Sequence, residues 1–154
     1  MLIRRMSITD VPRVAEIEKA CFSMPWSEQS LRDSVEREDT LFLVCEEGRS
    51  DLDKNLSPAT IVGYIGMYIS FEEADITNVA VSPSYRKKGY GEAIVSKAKE
   101  FAKAKGLERI LLEVRISNTA AISLYHKMGF EELGLRKKFY EHPVEDALLM
   151  SCTL

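Results

Sequence analysis

The sequence has only three cysteines, no long apolar run and little net charge, and the first two features argue against whole classes of protein. Its 154 residues include three cysteines, far apart and without a Cys-x-x-Cys pair, so neither a disulfide framework nor a zinc site is expected. The longest nearly apolar run, residues 61–71, is far shorter than the roughly 20 residues that a membrane span needs. The formal net charge of −3 gives no indication of nucleic-acid binding.

The start of the chain and its overall composition are typical of an ordinary globular protein. Residues 1–7 lack the apolar segment of a signal peptide. Hydrophobic residues make up 45% and charged residues 29%, a balance that supports a hydrophobic core. A chain of this length suits one domain, residues 1–154. We therefore expect a cytoplasmic protein without a bound metal, a membrane partner or a direct nucleic-acid partner.

Turn residues and helix caps mark the first half of the chain. Thr9 is predicted to cap a helix that begins at Asp10, with Pro12 in its first turn. Ser27 is predicted to cap a second helix that runs to about Glu38. The polar segment 47–59 is predicted to be a long mobile loop.

Hydrophobic periodicity predicts an α/β (α+β) protein with a mixed sheet and helices on both faces. Strands are predicted at residues 2–6, 40–46, 61–69, 74–81, 110–116, 131–140 and 146–153, with later helices after Gly91 and over 118–128. Consecutive early strands favour antiparallel pairing, whereas the strand–helix–strand unit over 74–116 predicts a parallel pair.

A glycine loop, Arg86-Lys87-Lys88-Gly89-Tyr90-Gly91, stands between a predicted strand and a predicted helix. Free N–H groups at a helix start bind anions, and glycines let the backbone approach a ligand. A pyrophosphate would suit such a loop, while a tight turn that binds nothing is the simpler alternative. No Gly-Lys-Ser/Thr follows, which excludes a Walker loop, and a dinucleotide fingerprint fits poorly.

Glu113 is the polar residue of interest in the strand 110–116. Alternation places it opposite the apolar face, so it is either a general base in a cleft or half of a surface ion pair, with Arg115 or across the strands. Tyr125 lies on the helix that follows, where it is either a core aromatic or an acid for a leaving thiolate.

The strand and glycine loop together resemble the GNAT superfamily of N-acetyltransferases. The resemblance rests on residues 78–91, with Arg-x-x-Gly-x-Gly after a strand. It implies a GNAT-like, mostly antiparallel sheet of about seven strands with four helices, and acetyl-CoA as the co-substrate. It also implies that backbone N–H groups of residues 86–91, namely Arg86, Lys87, Lys88, Gly89, Tyr90 and Gly91, hold the pyrophosphate, and that Val79, Ala80 and Val81 pair with the pantetheine arm.

A longer segment, residues 111–130, resembles a narrower family, the ribosomal-protein-alanine N-acetyltransferases. Residues 22–27, 139–140 and 145–150 fit the same family, although Phe139 stands where a tyrosine is common. The resemblance implies Glu113 as base, Tyr125 as acid and Asn118 near the coenzyme. The implied partner is the N-terminus of a protein, with a ribosomal protein that begins with alanine as the first candidate.

Two aromatic residues are expected to border the acceptor groove. Trp26 lies in a loop after Pro25 and either lines the groove or plugs the core beside the first two helices; Tyr140 is placed with it. The developing oxyanion needs a fixed N–H donor, for which the backbone near Ala80 and Val81 is the candidate. Direct attack in a ternary complex needs no cysteine nucleophile, so the cysteines are expected to be ordinary buried thiols.

Two other functions are compatible with these motifs. A GNAT enzyme could acetylate a lysine side chain or a small amine, and the width of the groove beside Glu113 would discriminate. A coenzyme-A-binding module without turnover would keep the glycine loop but lose the acid and base. Both Glu113 and Tyr125 are present, which favours an enzyme.

Overall fold

The computed structural model describes residues 1–48 and 59–154. In these ranges seven strands form one sheet in the order β1-β2-β3-β4-β5-β7-β6. The strands are Leu2–Arg5 (β1), Thr40–Glu47 (β2), Thr60–Ser70 (β3), Glu73–Val81 (β4), Arg109–Arg115 (β5), Glu131–Tyr140 (β6) and Glu145–Thr153 (β7). The α-helices are Val11–Cys21 (α1), Glu28–Val35 (α2), Tyr90–Ala104 (α3) and Thr119–Lys127 (α4), and short 3₁₀ helices cover Ile8–Asp10 and Pro83–Tyr85.

The sheet is mixed, as the order of elements predicts. Every neighbouring pair is antiparallel except β4 and β5, which run parallel on either side of α3 in the chain. A parallel pair needs a crossover connection, and the α3 segment supplies it. Within the described ranges, none of the helices has the length and hydropathy that crossing a bilayer would require.

Helices cover the sheet on two faces, and each face has its own buried cluster of described residues. One cluster joins α1 and α2 to β2, β3 and β4 through side chains such as Ile17, Leu31 and Tyr64. The other joins α3 and α4 to the opposite face through side chains such as Ile94 and Phe130. The predicted helices on both faces are therefore observed.

The predicted cap at Thr9 is wrong. Ser7 caps the 3₁₀ helix instead, and the Asp10 carboxylate accepts a hydrogen bond from the Ser7 backbone N at 2.8 Å. The same carboxylate accepts hydrogen bonds from both terminal nitrogens of Arg4, at 2.7 and 2.9 Å. This ion pair with Arg4 of β1 fixes Asp10 at the start of α1. Helix-cap rules consider only residues near the helix start and therefore do not predict it.

The second helix begins as predicted but ends earlier. The Ser27 side chain accepts a hydrogen bond from Ser30 N at 3.1 Å, which confirms its capping role. The helix ends at Val35 rather than near Glu38. The Thr40 hydroxyl donates to the carbonyl oxygens of Ser34 and Arg37, at 2.7 and 3.0 Å, and so turns the chain into β2.

Other predicted boundaries differ by a few residues. Glu47, predicted to begin a loop, is the last residue of β2, and most of the predicted loop (49–58) lies outside the described residues. Ile116, predicted to continue β5, follows its end and is 45% exposed.

A separation between β4 and β5 positions the candidate site. Their pairing ends at Ile76 and Leu112, although β4 continues to Val81 and β5 to Arg115. In the same region a bulge opposite Gly66/Met67 leaves Thr77 as an extra residue in β4. The two strands therefore diverge and leave a gap beyond Ile76 that side chains from both sheet faces can reach.

Candidate active site

A cavity of about 610 Å³ occupies the gap between β4 and β5. Its walls come from the end of α1 and the loop after it, from β4 and β5, from α4, and from the turn between β6 and β7. It gathers six of the predicted site residues: Trp26, Val79, Glu113, Asn118, Tyr125 and Tyr140.

Glu113 reaches the cavity from β5. The strand alternates as predicted, with Ile110, Leu112 and Val114 buried and Glu113 on the other face. Of the two ion-pair alternatives, the one with Arg115 is wrong, because Arg115 pairs with Glu145 at 3.1 Å, and the pair with another strand is the one observed. Arg136 of β6 lies 3.8 Å from the Glu113 carboxylate, which keeps 30% of its side chain exposed. The carboxylate can therefore exchange protons with a molecule in the cavity.

Tyr125 reaches the same cavity from α4. Its ring packs against Phe130 with centroids 5.5 Å apart, and the residue is 7% exposed. Burial raises the pKa of its hydroxyl, and Tyr140 raises it further. No described residue forms a hydrogen bond with this hydroxyl. Tyr125 is therefore a core aromatic whose hydroxyl group also lines the cavity, so the two alternatives for this residue do not exclude each other.

Asn118 has a structural role that the resemblance did not imply. Its Oδ1 accepts a hydrogen bond from Ala121 N at 3.2 Å and caps α4. The cap fixes the start of the helix that carries Tyr125. Asn118 also lines the cavity, so the residue that caps α4 borders the same space as Tyr125.

The glycine loop opens α3 as predicted. Gly89 has φ of +85°, a left-handed conformation that favours glycine, and immediately precedes the helix. Gly91 is small for another reason: a Cβ there would lie 3.2 Å from Leu124 Cδ2 of α4. Close packing of α3 on α4 therefore explains Gly91, while Gly89 is explained by its backbone conformation.

Not every backbone N–H group of residues 86–91 is free to bind an anion. The Arg86 backbone N donates to Pro83 O at 3.4 Å, so the 3₁₀ turn occupies this donor. The Arg86 side chain donates to Val81 O at 3.3 Å, and its guanidinium lies 3.3 Å from Cys21 Sγ. The N–H groups at the start of α3 have no intrahelical acceptors, because a helix leaves its first donors unpaired. Lys87 and Lys88 are exposed beside them, whereas Tyr90 is buried and donates to Glu47.

Part of β4 is free to pair with a ligand. The β5 edge of residues 77–81 is unpaired in the sheet because the ladder with β5 stops at Ile76. The Val81 carbonyl accepts from Arg86 and, at 3.4 Å, from Cys21 Sγ. Ala80 is buried, and Val79 lines the cavity.

Trp26 both packs over the core and lines the cavity, while its contact with the acetyl acceptor stays a prediction. Its ring lies 6.4 Å from the rings of Phe42 and of Tyr68, which is the expected plug over the core. It also lines the cavity between β4 and β5, and a second groove of about 600 Å³ on its other side. Trp26 therefore separates the cavity from the second groove, and its contacts with Phe42 and Tyr68 hold it in place.

Tyr140 forms the opposite wall. It is half-buried at the end of β6, and burial together with the Glu113 charge raises its pKa to about 12. Its ring packs against Phe139, with centroids 5.0 Å apart. The Arg115 guanidinium lies over the Tyr140 ring, 4.5 Å from the ring centroid. Tyr140 is thus a neutral phenol near the candidate base.

Arg115 organises this wall, which the sequence did not indicate. It donates to the backbone oxygens of Glu141 and Pro143, at 2.7 and 2.9 Å, in the turn between β6 and β7. Its partner Glu145 accepts from Ser117 N at 2.7 Å, one residue before the cap of α4. The pKa of Glu145 is lowered, first by Ser117 and then by Arg115. One ion pair therefore connects the Tyr140 turn to the start of the Tyr125 helix.

A second group missed by sequence reasoning lies beneath the cavity. Glu18 of α1 is fully buried, and its carboxylate accepts hydrogen bonds from the Tyr64 hydroxyl, Asn78 Nδ2 and Trp26 N. A strict period of two from Ile76 would direct Asn78 to the α3 face. The bulge at Thr77 directs it to the α1 face instead, and no sequence signal marked that bulge.

One of the three cysteines differs from expectation. Cys45 and Cys152 are buried as predicted, but Cys21 is half-buried and lines the cavity. His126 is exposed and lies 3.1 Å from Glu132. Among residues 1–48 and 59–154, no group of three or more His, Cys, Asp or Glu side chains is placed to bind a metal ion.

The chain matches known proteins over nearly its whole length. The model of the Acetyltransferase (GNAT) family matches residues 11–130. A protein of Bacillus subtilis (strain 168), named "putative ribosomal protein bS18-alanine N-acetyltransferase", is 37% identical over 99% of this chain and 95% of its own length. The crystal structure of the ribosomal-protein-S18-alanine N-acetyltransferase from Escherichia coli has a TM-score of 0.85 and 28% identity, covering 99% of this chain and 92% of that chain.

A more distant structure shares the fold alone. PaiA N-acetyltransferase from Thermoplasma acidophilum, solved in complex with coenzyme A, has a TM-score of 0.76 at 21% identity and covers 99% of this chain and 98% of that chain. The family model and the solved bacterial relative agree with the fold of this chain. The chain belongs to the acetyltransferase (GNAT) family and is an N-acetyltransferase.

Proposed function

We propose that this enzyme transfers the acetyl group of acetyl-CoA to the N-terminal α-amino group of a protein, with an N-terminal alanine of a ribosomal protein as the first candidate. The observation that carries the proposal is the cavity between β4 and β5, which brings Glu113 and Tyr125 together from different elements. The names of the bacterial relatives support the choice of acceptor.

The coenzyme fits the side of the site next to α3. Unpaired N–H groups at the start of a 15-residue helix and the adjacent Lys87 and Lys88 suit a pyrophosphate. The unpaired edge of β4 over residues 77–81 suits the amide groups of a pantetheine arm, since both offer backbone-like donors and acceptors. The arm would then lead from the helix start into the cavity beside Tyr125.

The acceptor fits the opposite side, between Trp26 and Tyr140. A free α-amino group has a reference pKa of about 7.7–8.0 and must lose a proton before it attacks the thioester. Glu113 takes this proton, directly or through water, and the second proton that the nitrogen loses as the amide forms passes to solvent. As the new C–N bond forms, backbone N–H groups near Ala80 and Val81 stabilise the negative charge on the acetyl oxygen.

Tyr125 acts on the leaving group. When the C–S bond breaks, the phenol donates its proton to the sulfur of coenzyme A. The raised pKa keeps the hydroxyl protonated and able to donate until negative charge develops on the sulfur. Acid and base roles of this kind are each worth roughly 10²–10⁴ in rate.

Mass spectrometry of candidate peptides tests the proposed acceptor. Each peptide carries a free α-amino group and one internal lysine, and a matched copy has its α-amino group blocked. With acetyl-CoA, we expect a single acetyl group on the free N-terminus of alanine-first peptides and none on the blocked copies. Acetylation of the lysine in both copies, or of a small amine in preference to every peptide, would contradict the proposal.

A further inference from the structure

The side-chain amide of Asn78 is locked in one orientation at the cavity wall. Its Nδ2 donates to Glu18 Oε1 at 2.5 Å and to the Tyr64 hydroxyl oxygen at 3.0 Å. Both acceptors lie on the buried side, because Glu18 and Tyr64 are fully buried. The two donor contacts place the NH₂ group inward and the amide oxygen away from the network.

The polarity of this network permits only that orientation. The Glu18 carboxylate is the acceptor in all three of its hydrogen bonds, with Trp26 N, the Tyr64 hydroxyl and Asn78 Nδ2 as the donors. The Tyr64 hydroxyl donates to Glu18, so its oxygen is left to accept from Asn78. Turning the amide over would direct its oxygen at a carboxylate and at a committed hydroxyl, and would leave two buried acceptors short of a donor.

The locked oxygen is therefore a fixed hydrogen-bond acceptor at the cavity. Asn78 lines the same cavity as Glu113 and Tyr125, and no described residue donates to its Oδ1. It lies on β4 just beyond Ile76, where the ladder with β5 ends. An uncharged oxygen that can only accept hydrogen bonds suits an N–H group of the substrate that receives the acetyl group.

We propose that Asn78 Oδ1 binds the amino group of the acceptor through one of its N–H bonds, and that Glu18 is the positioning residue that holds the Asn78 amide in place. The inference rests on the proposed transfer to an amine, but it does not depend on which amine. The hydrogen bond leaves the nitrogen lone pair free, so the amine is oriented without loss of nucleophilicity.

Glu18 links this contact to the acceptor wall. Its second oxygen, Oε2, accepts from the Trp26 backbone N at 2.9 Å. One buried carboxylate thus holds both Asn78 on β4 and the loop that carries Trp26. Loss of the carboxylate should weaken acceptor binding and leave the coenzyme side, at the start of α3, intact.

The test compares steady-state kinetics with coenzyme binding in Asn78→Ala. The acceptor is the best amine of the wild-type enzyme, identified in the peptide assay. We expect the acceptor KM to rise about five- to tenfold, the size of one lost hydrogen bond. The acetyl-CoA Kd measured by calorimetry should stay within twofold. An acceptor KM within twofold of wild type would overturn the proposed contact.

Glu18→Gln, made alone and in the Asn78→Ala background, tests the lock. An amide at residue 18 offers a donor to Asn78 and removes the reason for its fixed orientation. We expect the acceptor KM to rise in the single variant, and by a smaller factor when Asn78 is already absent. An equal factor in both backgrounds would overturn the lock. If Glu18→Gln does not fold, Tyr64→Phe takes its place in both backgrounds, with the same two outcomes.

Glu46→Gln is the matched control. It makes the same chemical change at a glutamate that is 3% exposed, in the ion cluster with Arg4 on β1. Its melting temperature reports the cost of altering a buried carboxylate. An acceptor KM that rises as much in Glu46→Gln as in Glu18→Gln would show that general destabilisation, and not the Asn78 amide, causes the effect. Failure of the proposed function is visible separately, as a wild-type enzyme that acetylates no protein N-terminus.

Discussion

At the scale of single residues, the site combines side chains whose chemistry depends on partial burial. Glu113 keeps 30% of its side chain exposed with Arg136 nearby, whereas Tyr125 is 7% exposed. A carboxylate with access to solvent can accept and release protons, and a buried phenol remains protonated because burial raises its pKa. The two residues are therefore suited to opposite proton transfers in one reaction.

Removal of one hydroxyl tests the proposed acid. Tyr125→Phe keeps the ring contact with Phe130, so stability should change little. Without a proton donor for the thiolate, kcat should fall about 10²-fold or more, whereas the acetyl-CoA Kd should change far less. Kinetics and calorimetry on the same variant give this comparison. A kcat within threefold of wild type, with chemistry shown to be rate-limiting, would remove Tyr125 as the acid.

The pH profile tests the proposed base. In Glu113→Gln no carboxylate takes the proton from the amine, so the reaction depends on amine that is already neutral in solution. We expect the rate to be most impaired below about pH 7.7–8.0, the reference pKa of an α-amino group, and to recover above it. The measurement is kcat/KM against pH for both proteins. Parallel profiles would mean that Glu113 only maintains structure with Arg136.

At the scale of elements, connections between secondary structures hold the two sides of the cavity. The glycine loop joins β4 to α3, and Gly91 lets α3 approach Leu124 of α4. Arg115 joins β5 to the turn between β6 and β7, and Glu145 extends that connection to Ser117. Under the proposed function the glycine loop lies on the coenzyme side and the Tyr140 turn on the acceptor side, so damage to either connection should affect one substrate more than the other.

Two substitutions at Gly91 separate charge from packing. Gly91→Ala adds the methyl group that meets Leu124 at 3.2 Å, while Gly91→Glu adds the same atom and a negative charge beside the proposed pyrophosphate site. We expect the glutamate variant to bind acetyl-CoA at least tenfold more weakly than the alanine variant, about 1.4 kcal/mol. Calorimetry measures both. Equal affinities in the two folded variants would contradict an anion site at this loop.

Arg115→Gln tests the connection on the acceptor side. It removes the charge that holds the backbone oxygens of Glu141 and Pro143 and the ring of Tyr140. We expect a several-fold rise in acceptor KM with little change in acetyl-CoA Kd. Arg109→Gln is the matched control, since Arg109 is also on β5 but makes an exposed pair with Glu73 at 3.7 Å. A similar KM in both variants would argue against a positioning role for Arg115.

At the scale of the whole molecule, the sequence predicted the elements better than the contacts between them. Periodicity located the strands, the parallel pair and the face of Glu113, because these depend on local spacing. It placed the first helix cap at Thr9, because the Arg4 pair with Asp10 comes from another element. It missed Asn78, because the bulge at Thr77 changes the face of the sheet on which Asn78 lies. It missed Glu18, because the sequence around a buried glutamate on a helix does not differ from that around an exposed one.

The most direct test of the account is the binding of a conjugate that joins coenzyme A, through an acetyl bridge, to the α-amino group of an alanine-first peptide. The central claim is that both substrates meet between β4 and β5 in one ternary complex, and the claim predicts that a molecule spanning both sides binds more tightly than either part. Calorimetry should give a conjugate Kd at least 10²-fold lower than that of coenzyme A, and Asn78→Ala should raise the conjugate Kd about five- to tenfold. A conjugate that binds no more tightly than coenzyme A would contradict the claim.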